Sequence, residues 1–319
     1  MPRELLHWQV AEDVVALLQQ KAPRLAQILV SNPGHYRIGA MLPDLPYYYR
    51  GGLSPFDHVA EVLHGAHGED PYDFIRMHRE RVFTRDRGKN ERFIALFAGI
   101  VTHNIVDALF HPPLYYLTGD YYDRDRMQRR SARARHRAFE VLLDRSWEIH
   151  FGQALQYRRY RPLITETLLS DLTLLLDPLD YTTTEKWRSG LWHMTYFQEI
   201  FNAHTFGALM HAISKRGGSW WRQWEALFTY GRTDDTIALD TPFTYAQPVT
   251  GETLTVTWHQ LAISSVAECV RILTPWQKDC DADDYSALLE GEIARSLNAG
   301  LVHTENSEMT FFAKHGGIA

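Results

Sequence analysis

Three side chains that commonly bind metal ions stand four residues apart in an apolar stretch. They are His103, Asp107 and His111 in "FAGIVTHNIVDALFHPP", residues 97–113. An α-helix turns about 100° per residue, so each four-residue step moves about 40° around the axis and all three fall on one stripe. Such a stripe is either a buried polar seam or a metal site. His103 and His111 are separated by about 12 Å of helix rise, too far for one zinc ion with bonds of about 2.0–2.1 Å. Asp107, about 6 Å of rise from each, can join His103 on one ion and turn its second oxygen toward another. The spacing therefore favours more than one metal. A second pair, His136 and Glu140 in "RHRAFEVLLD", again sits one turn apart on a helix face and can share an ion. Further ligand types precede these pairs: His7 in "LLHW", Asp44 in "GAMLPDLPYYY", and His58, His64 and His67 in "FDHVAEVLHGAHGEDPYDF".

The elements that must position these residues are helical. Apolar residues recur at helical spacing through stretches that include 5–20, 91–111, 131–157, 161–177, 184–215, 257–273 and 283–299. Pro112 and Pro113 are expected to close the 91–111 helix, leaving His111 in its last turn. The clearest strand signal is "FTYAQPVTGETLTVTW", 243–258, whose alternating residues flank a Gly-containing turn. The expected fold is all-α, mainly a helical bundle, with a small β-hairpin excursion near 243–258. No interdomain linker or fixed-period repeat interrupts the chain, so a single helical domain over 1–319 is the simplest organisation. Within it lie a metal-site core at 1–145 and a C-terminal helical part at 146–319 without an assigned role.

Composition narrows the chemistry. The 319 residues are 45% hydrophobic and 23% charged, which supports a large core and excludes a disordered chain. A net charge of -6 speaks against a broad nucleic-acid-binding surface, so an anionic substrate is better gripped by metal than by a basic groove. Cys269 and Cys280 are the only cysteines, so zinc would have to use the sixteen histidines and the carboxylates. The start, "MPRELLHWQVAEDVVALLQQ", reads as an amphipathic helix rather than a signal peptide. Apolar runs such as "FIALFAGIV" are about half of the roughly 20 residues a membrane span needs, which sets the expectation of a cytoplasmic protein without a transmembrane segment.

The order of the features resembles the zinc-dependent phospholipase C family. That family takes in the catalytic domain of glycosylphosphatidylinositol-specific phospholipase D and is allied to zinc nucleases that cut single strands. An early His is followed by a helix, a Gly-Ala-x-x-Pro-Asp loop ("GAMLPD"), a His before a helix, "THNIVDALFHP" and then His-x-x-x-Glu, over roughly residues 1–145. The resemblance implies a helical bundle that holds two or three Zn2+ ions in a cleft. Asp44, a histidine of the 58–67 segment, His103 and Asp107 look like one ion's ligands; His111, His136 and Glu140 look like a second's. A third ion would take His7 and the far oxygen of Asp107. His64 fits the segment best because "HG" shortly precedes "GED"; His67 keeps a His-x-x-Asp-Pro spacing, and His58 keeps the distance from Asp44. Secreted members expose a mature N-terminal residue at the third ion, whereas here Met1 and five more residues precede His7.

The implied activity is phosphodiester hydrolysis, with Asp44 orienting or deprotonating the water and a phospholipid or nucleotide as substrate. The tyrosines of "LPYYYRGG" and "LYYLTGDYYD" would line an acyl or base pocket or simply pack, and the arginines of "RDRMQRRSARARHR" would steer an anionic group or stay solvated. The alternative to an enzyme is a helical scaffold or partner-binding protein with a structural or vestigial metal site.

Overall fold

A computed structural model describes residues 4–52, 57–83, 86–151, 161–176, 184–201, 203–217, 221, 224–228 and 236–313. The helices in chain order are α1 (Glu4–Lys21), α2 (Pro23–Ser31), α3 (Pro33–Gly39), a 3-10 helix (Leu42–Gly52), α4 (Asp57–Leu63), α5 (Asp73–Val82), α6 (Arg87–Thr118), α7 (Arg126–Phe151), α8 (Glu166–Leu176), α9 (Thr184–Phe201) and α10 (His204–Ser214). The hairpin β1 (Phe243–Ala246) and β2 (Thr253–Val256) follows, then α11 (Trp258–Leu273) and α12 (Trp276–Ala282). The fold is mainly all-α with one small antiparallel hairpin, in which Phe243 faces Val256 and Ala246 faces Thr253.

α6 is the axis. Asp86 caps its start by accepting from the Lys89 N–H at 3.2 Å, and apolar residues cover nearly its whole circumference, so it is buried on every side rather than along one stripe. Its length and composition would let it cross a membrane, but the apolar window is 94% buried inside the protein. α1, α3 and α7 pack on it from the N-terminal half and α11 from the C-terminal half. The hairpin closes over the same core: Trp258 stacks on Phe110 of α6 and on Phe243 of β1, with ring centroids 5.9 and 4.4 Å apart. At α8, Asp171 accepts from Arg92 Nε at 2.5 Å and lies 3.1 Å from His35 Nε2, tying α8 to α6 and α3.

Three expectations of helix length are corrected. α6 does not stop at Pro112 but runs through both prolines to Thr118 and ends at Gly119, whose φ is 94°. Two proline N–H groups are lost there, yet Phe110, Leu114 and Tyr115 are buried around the turn, and packing outweighs the missing bonds. The 184–215 helix is two helices, α9 and α10, on either side of residues 202–203. The 283–299 stretch is turns, not a helix. Its backbone groups are taken by side chains and loops elsewhere: Glu292 O accepts from Arg76, Leu288 O from Arg79 at 2.5 Å, and Ala294 N–H donates to Asp70 at 3.0 Å. Leu289 and Gly291 have positive φ, which a helix forbids. The expected continuation of α7 to residue 157 falls, beyond Phe151, outside the described residues.

The crossing of α3 and α6 sets the site. A Cβ on Gly99 would meet Tyr36 O at 2.2 Å, and one on Gly39 would meet Leu96 O at 2.2 Å, so only glycine permits this approach. The contact brings Ala40 O to 2.9 Å from His103 Nδ1. In an open helix Gly→Ala stabilises by about 1 kcal/mol, whereas overpacking a close contact costs about 1–3 kcal/mol. Thermal unfolding should therefore show a lower midpoint for Gly99→Ala, and no loss for Gly88→Ala on the same helix, where the new Cβ meets Asp86 Oδ1 only at 3.6 Å.

Candidate metal centre

His103, Asp107 and His111 lie on one stripe of α6, all inside the core. α1 brings His7 to them, the 3-10 helix brings Asp44, the turn after α4 brings His64, and α7 brings His136 and Glu140. Each approach has a local cause. Asp144, one turn beyond Glu140 on α7, accepts the Leu5 and Leu6 N–H groups at 3.3 and 3.2 Å, so a carboxylate satisfies the start of α1 and fixes His7. His7 then stacks on His103, with ring centroids 4.5 Å apart and planes 10° from parallel.

The imidazoles are held from behind. Nδ1 of His64 lies 2.7 Å from Ala60 O, that of His103 2.9 Å from Ala40 O, and that of His111 3.0 Å from Leu297 O. Nδ1 of His136 is 3.4 Å from the Thr118 hydroxyl. An imidazole that donates from Nδ1 to a carbonyl presents the Nε2 lone pair forward, which is how histidines are set to bind metal.

Two groups of ligand atoms result. Asp44, His64, His103 and Asp107 form one, His111, His136 and Glu140 the other, with the atoms of each group within 4.8 Å of one another. His64 Nε2 is 3.2 Å from Asp44 Oδ1, His103 Nε2 is 3.2 Å from Asp107 Oδ2, and His136 Nε2 is 3.0 Å from Glu140 Oε1. Two atoms that share a tetrahedral zinc at about 2.0–2.1 Å stand about 3.3 Å apart, so these separations suit a common ion. Asp107 joins the parts: Oδ1 lies 3.2 Å from His7 Nε2, while Oδ2 lies 3.7 Å from His64 Nε2 and 3.8 Å from His111 Nε2.

The residues fit a cation on a second count. Both oxygens of Asp44, both of Asp107, and Nε2 of His103 and of His111 are buried with no hydrogen-bond partner. Burying so many acceptors without donors is costly, and one positive ion between them removes the cost. Titration agrees. Burial raises the Asp107 carboxyl, but His111 and His103 outweigh it and hold it well below the usual carboxylate range. Burial is likewise outweighed at Asp44 by His64 and His103, and at Glu140, brought down to about 2, by His136 and His111. Burial pushes His111 down to about 4 and also lowers His7. At neutral pH these carboxylates are anionic and His111 is a neutral imidazole. His103 differs: burial lowers it, but Asp107 and Asp44 outweigh burial and raise it.

Asp44, His64, His111 and His136 also border a cleft of about 110 Å³, with Tyr47, Tyr115, Tyr121, Tyr122, Arg133 and Arg137 among its other walls. His58 is exposed and the His67 side chain is 62% exposed, so of the three alternatives the structure gathers only His64 into a group. His7 meets Asp107 as expected for a third ion, but among the described residues it belongs to no group of three ligands. Sequence reasoning missed Asp144 and Leu297. Asp144 could have been found as the next position, i+4, on the His136–Glu140 face; nothing local to Leu297 marks its carbonyl.

A family model described as zinc dependent phospholipase C matches residues 6–174, more than half of the 319, and the chain belongs to that family. The match runs beyond residue 145, through most of α8. No curated protein and no solved structure matches the chain.

Two outcomes test the centre. Elemental analysis of untagged protein should find zinc in the wild type and a loss from the first group in Asp107→Ala, which removes ligand oxygens shared between the parts. Because Asp107 and Asp44 raise His103, a proton competes with a cation there, so zinc affinity should rise with pH. Calorimetry in two buffers of different ionisation enthalpy should read that proton.

Proposed function

We propose that this member of the zinc dependent phospholipase C family hydrolyses phosphodiesters, with zinc held by Asp44, His64, His103 and Asp107 and by His111, His136 and Glu140. The observation that carries the reading is that residues of both ligand groups border one cleft: Asp44 and His64 from the first, His111 and His136 from the second. A site that only tied helices together would be shut on all sides. When bound, zinc lowers the pKa of water toward neutrality and neutralises charge on phosphoryl oxygens.

The protein's own contribution is position and proton transfer. The carbonyls of Ala40, Ala60 and Leu297 fix three imidazoles before any substrate arrives, so little reorganisation is needed at the centre. Asp44 is ionised, lines the cleft and has both oxygens without hydrogen-bond partners, which suits it to orient a water and accept its proton. Tyr115 donates to Asn298 Oδ1 at 3.1 Å, and Asn306 Nδ2 donates to the Tyr122 hydroxyl at 2.9 Å, so the aromatic wall is itself braced by the C-terminal segment.

Zinc-loaded protein should hydrolyse bis(4-nitrophenyl) phosphate, and chelation should stop it until zinc is returned. Asp44→Asn should lower kcat by about 10²- to 10⁴-fold, the usual worth of a general base. The zinc at His111, His136 and Glu140 should remain in that variant, as counted by elemental analysis. A variant with wild-type kcat would remove Asp44 from the proton-transfer role.

A further inference from the structure

α7 carries more than ligands toward the cleft. Arg133, His136, Arg137 and Glu140 occupy positions i, i+3, i+4 and i+7, one stripe of the helix. Glu140 and His136 are buried, while Arg137 and Arg133 are half-buried, so the stripe runs from the second ligand group out toward solvent over about 10 Å of rise. Both arginines line the cleft. The Arg133 guanidinium lies over the Tyr121 ring, 4.7 Å from its centroid, and its Nε donates to Tyr121 O at 3.3 Å; the charge is pre-positioned. Among the described residues Arg137 has no ion-pair partner.

The other charges facing this space are few. Among the described residues, the only carboxylate in the cleft lining outside the ligand groups is Glu61, whose Oε2 is 3.9 Å from His67 Nε2. Tyr47, Tyr115, Tyr121 and Tyr122 complete the walls. Tyrosines alone would suit a quaternary ammonium group, but two guanidinium ions beside them oppose one. Guanidinium groups pair with phosphate and carboxylate in two-pronged hydrogen bonds.

We infer that the cleft selects phosphodiesters that carry a second anionic group, a phosphate or carboxylate a few bonds from the scissile phosphate, seated by Arg133 and Arg137. This rests on the hydrolase reading for its first half only: the ligand groups take the diester, and the arginine pair takes the second anion. A lipid headgroup and a soluble nucleotide can both present that chemistry.

The test uses matched pairs on zinc-loaded protein. The soluble pair is the 4-nitrophenyl ester of thymidine 5′-phosphate with and without a 3′-phosphate. The lipid pair is phosphatidylinositol 4-phosphate against phosphatidylinositol in phosphatidylcholine vesicles. Wild type should favour the doubly charged member at least tenfold in kcat/KM, mostly through KM, in whichever arm supplies the substrate. Arg133→Gln/Arg137→Gln should bring that ratio near one, and Arg133→Lys/Arg137→Lys should recover part of it. Zinc content and helical circular dichroism establish that each variant is folded. A wild-type ratio at or below one, or a ratio that survives in the Gln variant, overturns the inference while leaving the hydrolase reading intact. Calorimetry with adenosine 3′,5′-bisphosphate against adenosine 5′-phosphate covers failure of turnover. Tighter binding of the bisphosphate that the Gln variant loses supports the anion site even if no ester is cleaved; equal binding overturns it.

Discussion

An acceptor facing an acceptor inside an apolar core is the arrangement on which the rest of this structure turns. His64, His103 and His111 are each held at Nδ1 by a backbone carbonyl, which leaves Nε2 as a lone pair when the ring is neutral. In front of those lone pairs stand Asp44, Asp107 and Glu140, which as carboxylates can only accept. All are buried. Packed that way the groups repel wherever the rings are neutral. A proton on an imidazole relieves one contact at a time, whereas a divalent cation relieves several at once.

The helices are distributed as such a centre requires. The two groups of candidate ligands come from the 3-10 helix, the turn after α4, α6 and α7, so no single element forms the site. Binding free energy at such a point is also folding free energy, because the unfolded chain cannot bring these groups together. The C-terminal half takes part as well. Leu297 donates its N–H to His64 O at 2.9 Å and receives His111 Nδ1 at its carbonyl, touching one histidine of each group. Gly300 follows with a φ of 71°, and a Cβ there would meet Pro112 Cγ at 2.6 Å and Ala108 O at 2.7 Å. The irregular path of 283–299 thus answers to the site: a helix would have spent the Leu297 backbone groups on itself.

What was legible in the sequence was local. The stripes at 103, 107 and 111 and at 136 and 140 follow from helical period alone, as does the mainly helical fold, and the hairpin at 243–258 follows from alternation about a Gly-containing turn. Choosing among His58, His64 and His67 needed more, because three histidines within ten residues all satisfy a spacing and only the turn after α4 decides which one points inward. The prolines misled for a related reason. Local chemistry says that Pro112 and Pro113 stop a helix, but burial of Phe110, Leu114 and Tyr115 on either side of them keeps it going. Partners far apart in the chain, such as Leu297 and His111, leave no periodic trace at all.

Net charge is the last place where a whole-chain property and a local one diverge. A sum of -6 counts every charged side chain, buried or exposed. Three of the acidic residues, Asp44, Asp107 and Glu140, do not reach the surface. Against their three negative charges, two divalent ions would bring four positive ones, and the buried centre would become a net cation behind a cleft whose wall already holds Arg133 and Arg137. Field lines in a narrow cleft are focused by its low-dielectric walls, so an anion approaching the metal-loaded protein would meet an attractive opening. The carboxylates that make the chain look unsuited to anions are the groups that would assemble a positive site around bound cations.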